Sequence, residues 1–198
     1  MAQDSASTPW RDVWDTVRAI LIAIIVALLI RQFVVETYQV NGVSMEPNLQ
    51  NGERLLVNKF IYRFTTPHAG QIVIFHPPVP GVTVDYVKRV IAVAGQTFQM
   101  KQGQVYINGQ LQAEPWEPQS WRDNFTGSQY VGGQYGNCPS PALQVNTHPI
   151  VIPAGHIWVL GDHRDDSIDS RCFGPVPISS VRGQAMLIWW PFPDFRAL

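Results

Sequence analysis

Hydrophobic positions fall into two regimes along this chain. Between Ala19 and Ile30 they form one block, AILIAIIVALLI, twelve residues with no polar side chain. Beyond Glu36 they come as short Val- and Ile-rich pieces broken by glycine, proline and asparagine. Extended from Val17 to Val35, the block admits only Arg18, Arg31 and Gln32. A helix over that stretch measures about 28 Å, close to the roughly 30 Å of a bilayer's hydrocarbon core. A buried core helix would keep a polar stripe, and this run is apolar all round. A cleaved leader would be followed by small residues, whereas RQFVVETYQV is bulky. The pattern predicts an N-terminal tail over 1–16 and one transmembrane helix over 17–35. Arg31 lies about one turn inside the far end, where its stem can snorkel to the headgroups. Arg11 and Arg18 precede the span and Arg31, Arg54 and Lys59 follow it, so the charge rule says little about orientation.

The short pieces predict a mainly β domain over 36–198. ETYQVNGV (36–43) alternates like a strand that ends in an Asn-Gly turn, and ERLLVNKF (53–60) reads as a second strand. GQIVIFHPP (70–78) is a buried run stopped by two prolines, and VDYVKRVIAVAG (84–95) is a long fourth strand. Asn108-Gly109 marks a type I′ hairpin. A loop-rich insertion is expected over about 99–150, irregular from 113 to 149, with HIWVLGD and GQAMLIWWP closing the sheet.

Composition narrows the choices. A chain of 198 residues supports one domain with a proper core, and sixteen prolines and fifteen glycines fit many turns. Net charge is −1 and the fourteen Lys and Arg residues form no run, which argues against a nucleic-acid partner. Cys138 and Cys172 have no metal-ligand spacing, and whether they pair is a question of geometry.

Ser44, in a turn stiffened by Pro47 just beyond the span, is a candidate nucleophile only if a base can reach it, because a free hydroxyl is inert at neutral pH. His68, His76, His148 and His156 have no matching acid. His163, in GDHRDDS, is the one histidine flanked by carboxylates. A Ser-x-x-Lys arrangement fails because Pro47 stands where the lysine would be. Lys88 sits mid-strand among apolar residues, sharing a face with Tyr86, Val90 and Ala92 by alternation, opposite Val87, Arg89 and Ile91. Two readings fit that strand: a lysine snorkelling at a sheet edge, or a desolvated amine able to act as a neutral base. GDHRDDSIDSR (161–171) reads as a solvated turn held by ion pairs such as Asp169 with Arg171, or as a source of hydroxyls, Ser167 or Ser170, to orient a buried lysine.

SMEPNL, YVKRVIAVAG and GDHRDDSIDSR, in this order behind one apolar span, together with the weaker GQIVIF, resemble the type I signal peptidases, the leader peptidase family of Ser-Lys serine proteases. The resemblance covers roughly 13–100 and 150–190. It implies a β-core of antiparallel sheets, with Ser44 as nucleophile and Lys88 as general base. It also implies that Ser167 hydrogen-bonds the lysine amine and that Asp169 and Arg171 brace the loop. Tyr38, Val40, Met45, Leu49, Tyr86 and Val87 match positions that line the substrate pockets. Gln71 stands where the family often has Asp, His163 where it usually has Asn, and Gly42 where some members offer a Ser hydroxyl to the oxyanion hole.

The implied activity is removal of signal peptides from exported preproteins, cutting after small residues through an acyl-enzyme, with no metal or cofactor. The implied location is the plasma or inner membrane, single-pass, with the catalytic domain on the extracytoplasmic side; a thylakoid membrane is the alternative. Ser44 lies nine residues beyond Val35, so a fully extended link keeps it within about 30 Å of the span's end. The lipid bilayer and signal peptides are therefore the expected partners. Trp189, Trp190, Phe192 and Phe195 are either an interfacial patch or the packing of a last strand. Two rivals carry a similar pattern: a self-cleaving Ser-Lys protease of the repressor type, for whose DNA-binding domain the chain has no room, and a membrane-anchored peptide-binding module.

Overall fold

The computed structural model describes residues 9–117 and 148–198. In chain order the elements are α1 (Pro9–Phe33), β1 (Val35–Gln39), β2 (Arg54–Asn58), β3 (Ile72–Phe75), β4 (Tyr86–Val93), β5 (Thr97–Lys101), β6 (Gln104–Ile107), β7 (Gln110–Leu111), β8 (Ile150–Val151), β9 (His156–Leu160), α2 (Ser170–Phe173), β10 (Val176–Pro177), β11 (Val181–Trp190) and β12 (Arg196–Ala197). The helix begins eight residues before the expected 17 and ends two before 35, because Pro9 suits a helix start and Val35 is already paired in the sheet. Trp10–Phe33 is, among the described residues, the one helix long and apolar enough to cross a membrane, about 36 Å at helical rise, and none of it is buried.

Two antiparallel sheets carry the strands among the other described residues. The larger has eight strands in the order β1-β2-β11-β3-β4-β9-β10, with β12 beside β11; the smaller runs β7-β6-β5-β8. The segment GQAMLIWWP lies inside the large sheet, between β2 and β3, and does not close its edge. The first part of the expected insertion is ordered as β5, β6 and β7, and Asn108 and Gly109 both have positive φ, as a type I′ turn requires. Residues 118–147, and with them Cys138, lie outside the described residues; Cys172 is disulfide-bonded.

The apolar runs follow from layers on both faces of the large sheet. In β3 all of Ile72 to Phe75 is buried. Ile72 and Ile74 join Val40, Met45, Leu49 and Leu55 on one side, and Val73 and Phe75 join Val90, Ile157 and Val159 on the other. A central strand covered on both faces reads as a continuous hydrophobic run for this reason. Along β4 the alternation holds from Tyr86 to Val90. A bulge between Val90 and Ala92 then sends Ile91 and Ala92 together into a third cluster with Phe98 and Trp158. Phe98 stacks on Trp158 with ring centroids 4.9 Å apart, which fixes the small sheet to β9.

At the other end, Val34 is the single residue between α1 and β1. Lys59 Nζ donates to the Gln32 carbonyl (3.1 Å) and lies 3.3 Å from Glu36, tying the last helical turn to the sheet edge.

Candidate active site

Ser44 sits in a turn between β1 and β2. Its frame is set by Val40 N–H to Glu53 O, Gly52 N–H to Val40 O and Leu49 N–H to Met45 O. Gly42 takes φ +101°, a conformation that favours glycine, and its N–H donates to Asn51 Oδ1. Lys88 reaches Ser44 from β4, whose place between β3 and β9 leaves the lysine 4 % exposed. The sheet-edge reading of Lys88 is thereby corrected: the strand is central and the amine has no route to water along an edge. Lys88 Nζ lies 2.6 Å from Ser44 Oγ and 5.4 Å from the Tyr86 ring centroid.

Burial without a paired carboxylate pushes the Lys88 pKa down, from an ordinary lysine's 10.5 to about 8. Asp169 and Asp162 pull it back up, and Arg171 pushes it further down. A neutral fraction far above an ordinary lysine's, in contact with a hydroxyl, is what a general base for a serine requires.

The loop after β9 packs against this pair. The His163 N–H donates to the Ser44 carbonyl (3.1 Å). Gly161 makes that approach feasible, since a Cβ there would fall 2.5 Å from the Ser44 carbonyl oxygen and closer still to Ser167 Oγ. Asp169 caps α2 and forks onto Arg171, with Oδ1 2.7 Å from Nε and Oδ2 2.6 Å from Nη2. Burial raises the Asp169 carboxyl to about 6, against the hydrogen bonds from Gly161 N–H and Ser167 and the charge of Lys88. Ser167 is placed differently from the family expectation. Its hydroxyl donates to Asp169 Oδ2 (2.8 Å), and no hydrogen bond joins it to Lys88. A buried carboxylate with two oxygens to satisfy claims the nearest donor, while the amine is taken up by Ser44.

A cleft of about 220 Å³ opens beside the pair, lined by Tyr38, Val40, Tyr86 and Val87 with Ser44 and Lys88. Met45 and Leu49, expected in the lining, are 1 % and 0 % exposed and lie beneath it in the core with Leu55 and Ile188. The bond from Leu49 N–H to Met45 O curls that segment into one tight turn and carries both side chains inward.

The residues matched by the family model described as "Signal peptidase, peptidase S26" are 13–190. Signal peptidase I of Bacillus licheniformis is 34 % identical over 197 residues, covering 99 % of this chain and 98 % of its own. The chain belongs to the signal peptidase family, peptidase S26. It is a serine endopeptidase of that family. Signal peptidase IB of Staphylococcus aureus (strain COL) is 32 % identical over 186 residues, 94 % of each chain. A crystal structure of a signal peptidase I from Enterococcus faecalis V583 aligns at TM-score 0.40 with 27 % identity, over 61 % of this chain and 97 % of that one.

In this family member the reading of GDHRDDSIDSR as a solvated turn does not hold. Asp162, Arg164, Asp169, Ser170 and Arg171 are all buried. Sequence reasoning also missed the node behind Lys88. Arg89 forks onto Asp162 (2.8 and 2.6 Å), donates to Gly70 O and stacks 4.7 Å from the Trp116 ring centroid. Asn48 donates to both Asp162 and Trp116 O, and Arg164 pairs with Glu114 at 2.6 Å. The available signal was an arginine inside an apolar strand and a dense run of carboxylates far along the chain. Their pairing is a long-range fact that spacing does not carry. Of the C-terminal aromatics, Trp190, Phe192 and Phe195 are 42 %, 69 % and 61 % exposed, so core packing is not their role; Trp189 is half-buried near Arg54.

Proposed function

We propose that the chain is a membrane-anchored endopeptidase that removes N-terminal signal peptides from exported preproteins, cutting after small residues through a Ser44/Lys88 dyad and an acyl-enzyme. The observation that carries this reading is the 2.6 Å contact between a buried lysine amine and the hydroxyl of Ser44 at the wall of an open cleft. Neutral Lys88 accepts the Ser44 proton as Oγ attacks the scissile carbonyl. The Ser44 N–H donates to no described residue and is the oxyanion donor, a contribution of about 3 kcal/mol in comparable sites. The lysine ammonium then hands its proton to the leaving amine, and the neutral amine activates the water that cleaves the ester.

The substrate lies extended between the 38–44 segment and the 85–88 strand, alternate side chains entering the cleft. Asp169, Arg171 and Ser167 hold the loop against Ser44 and do not touch the substrate. Helix α1 anchors the domain in the bilayer, with Trp190, Phe192 and Phe195 as a second lipid contact, on the extracytoplasmic side of a plasma or inner membrane.

The test is incubation of the detergent-solubilised protein with a preprotein. The wild type yields a shortened product, and Ser44→Ala and Lys88→Ala yield none while keeping their near-UV circular dichroism. Normal cleavage by Lys88→Ala would remove the dyad. Binding of the preprotein without any cleavage by the wild type would favour a peptide-capturing module.

A further inference from the structure

The carboxylates in and beside the cleft differ in one respect. Asp162 is held by Arg89 and Asp169 by Arg171, and Asp85 lies 3.2 Å from His76 Nδ1 and 3.5 Å from Arg182. Asp166 lines the same cleft as Ser44 and Lys88, but no described cation lies within 4 Å of its carboxylate. Its Oδ1 is buried and accepts no hydrogen bond. Its neighbour Asp165, by contrast, is exposed to water.

The position is close to the reacting atoms. Asp166 closes the one-turn 3-10 helix Arg164–Asp166, its N–H donates to His163 O, and the His163 N–H donates to Ser44 O. Two hydrogen bonds and one tight turn therefore separate it from the nucleophile. At the roughly 3.3 Å rise of an extended peptide, it faces a substrate side chain within about three residues of the cut.

We propose that Asp166 is a specificity determinant that receives a cationic side chain, Lys or Arg, of the preprotein within about three residues of the cleaved bond. The inference rests on the Ser44/Lys88 reading. Asp166 is half-buried on the cleft wall, and an incoming ammonium or guanidinium meets the accessible part of its carboxylate with a charge-assisted bond. Tyr38, Val40, Tyr86 and Ile168, on the same walls, give the aliphatic stem of that side chain an apolar surface. The paired carboxylates have their charges answered within the protein; Asp166 has no such answer among the described residues.

The experiment uses the full detergent-solubilised chain and a set of preprotein-derived peptides. The peptides differ only by Lys, Gln or Glu, one substitution at a time, at the three positions on each side of the cut. At one position the wild type should show a Lys-to-Glu ratio of kcat/KM of about tenfold. The ratio should fall toward one in Asp166→Asn and invert in Asp166→Lys. No charge preference at any position, or a ratio that persists in both variants, overturns the proposal; an equal loss on every peptide leaves the ratio in place and counts against it likewise. Failure of the wild type to cut even the Gln peptides removes the Ser44/Lys88 reading, and this inference with it.

Discussion

Lys88 and Arg89 are consecutive on β4, and both are buried, at 4 % and 8 % exposure. Alternation turns them to opposite faces, and the faces treat them differently. On one, Arg89 meets Asp162 in a two-pronged pair, donates to Gly70 O and lies on the Trp116 ring, so its charge is matched at every side. On the other, the Lys88 amine meets a hydroxyl and an aromatic ring and has no carboxylate within ion-pair distance. Depth is nearly the same; the partners differ, and a lysine can lose its proton where an arginine does not. The Arg89 fork holds three segments together, while burial without a counter-ion in contact lowers the Lys88 pKa and brings its neutral, reactive form within reach.

The sharpest way to break this contrast is to remove each cation in turn. Lys88→Met should lower kcat/KM by at least about 10³-fold, measured with a preprotein substrate, without loss of unfolding free energy, because it deletes a desolvated amine and leaves no buried charge behind. Arg89→Met should do the reverse in stability, costing about 3–5 kcal/mol in a denaturant titration, since Asp162 is stranded. A smaller effect, about 1–3 kcal/mol with a loss of turnover, is expected for Gly161→Ala, whose methyl group must push the loop off the Ser44 carbonyl.

The pH dependence sharpens the same comparison. The base works when neutral, so kcat/KM should rise with pH through about 8 and then level, well before an ordinary lysine's 10.5. Below about 8 the folded and unfolded chains both hold the Lys88 proton. Between about 8 and 10.5 only the unfolded chain does, so this group makes stability increase with pH in that window. The Lys88→Met variant should lack that rise in its denaturation midpoint, and a retained rise would assign it to another group. The smallest change is expected for Lys59→Ala, at most about 1 kcal/mol, because its ion pair with Glu36 is partly exposed to water.

Local features were readable in the sequence. The apolar block gave the helix, continuous runs such as IVIF gave buried strands, and Asn108-Gly109 gave a hairpin. The fork of Asp169 on Arg171 was also readable, because partners two residues apart meet in one turn. What could not be read is what depends on strand order. Whether Lys88 stood at an edge or at the centre is fixed by β9, some seventy residues further on, pairing beside β4. Asp162 with Arg89 and Glu114 with Arg164 join residues 73 and 50 positions apart. Ser167 and Met45 were misplaced for a related reason. A motif states which residue types assemble, while competition between neighbours for one donor, and the inward curl of one turn, settle where each side chain ends.

The one-residue join at Val34 has a mechanical consequence. With Lys59 donating to the last turn of α1, the join to the β-domain is short and is bridged by one side chain. In the proposed anchored form the height of Ser44 above the lipid is then a built-in gauge. A preprotein whose apolar segment is lengthened or shortened by a turn would then offer a different peptide bond to the nucleophile.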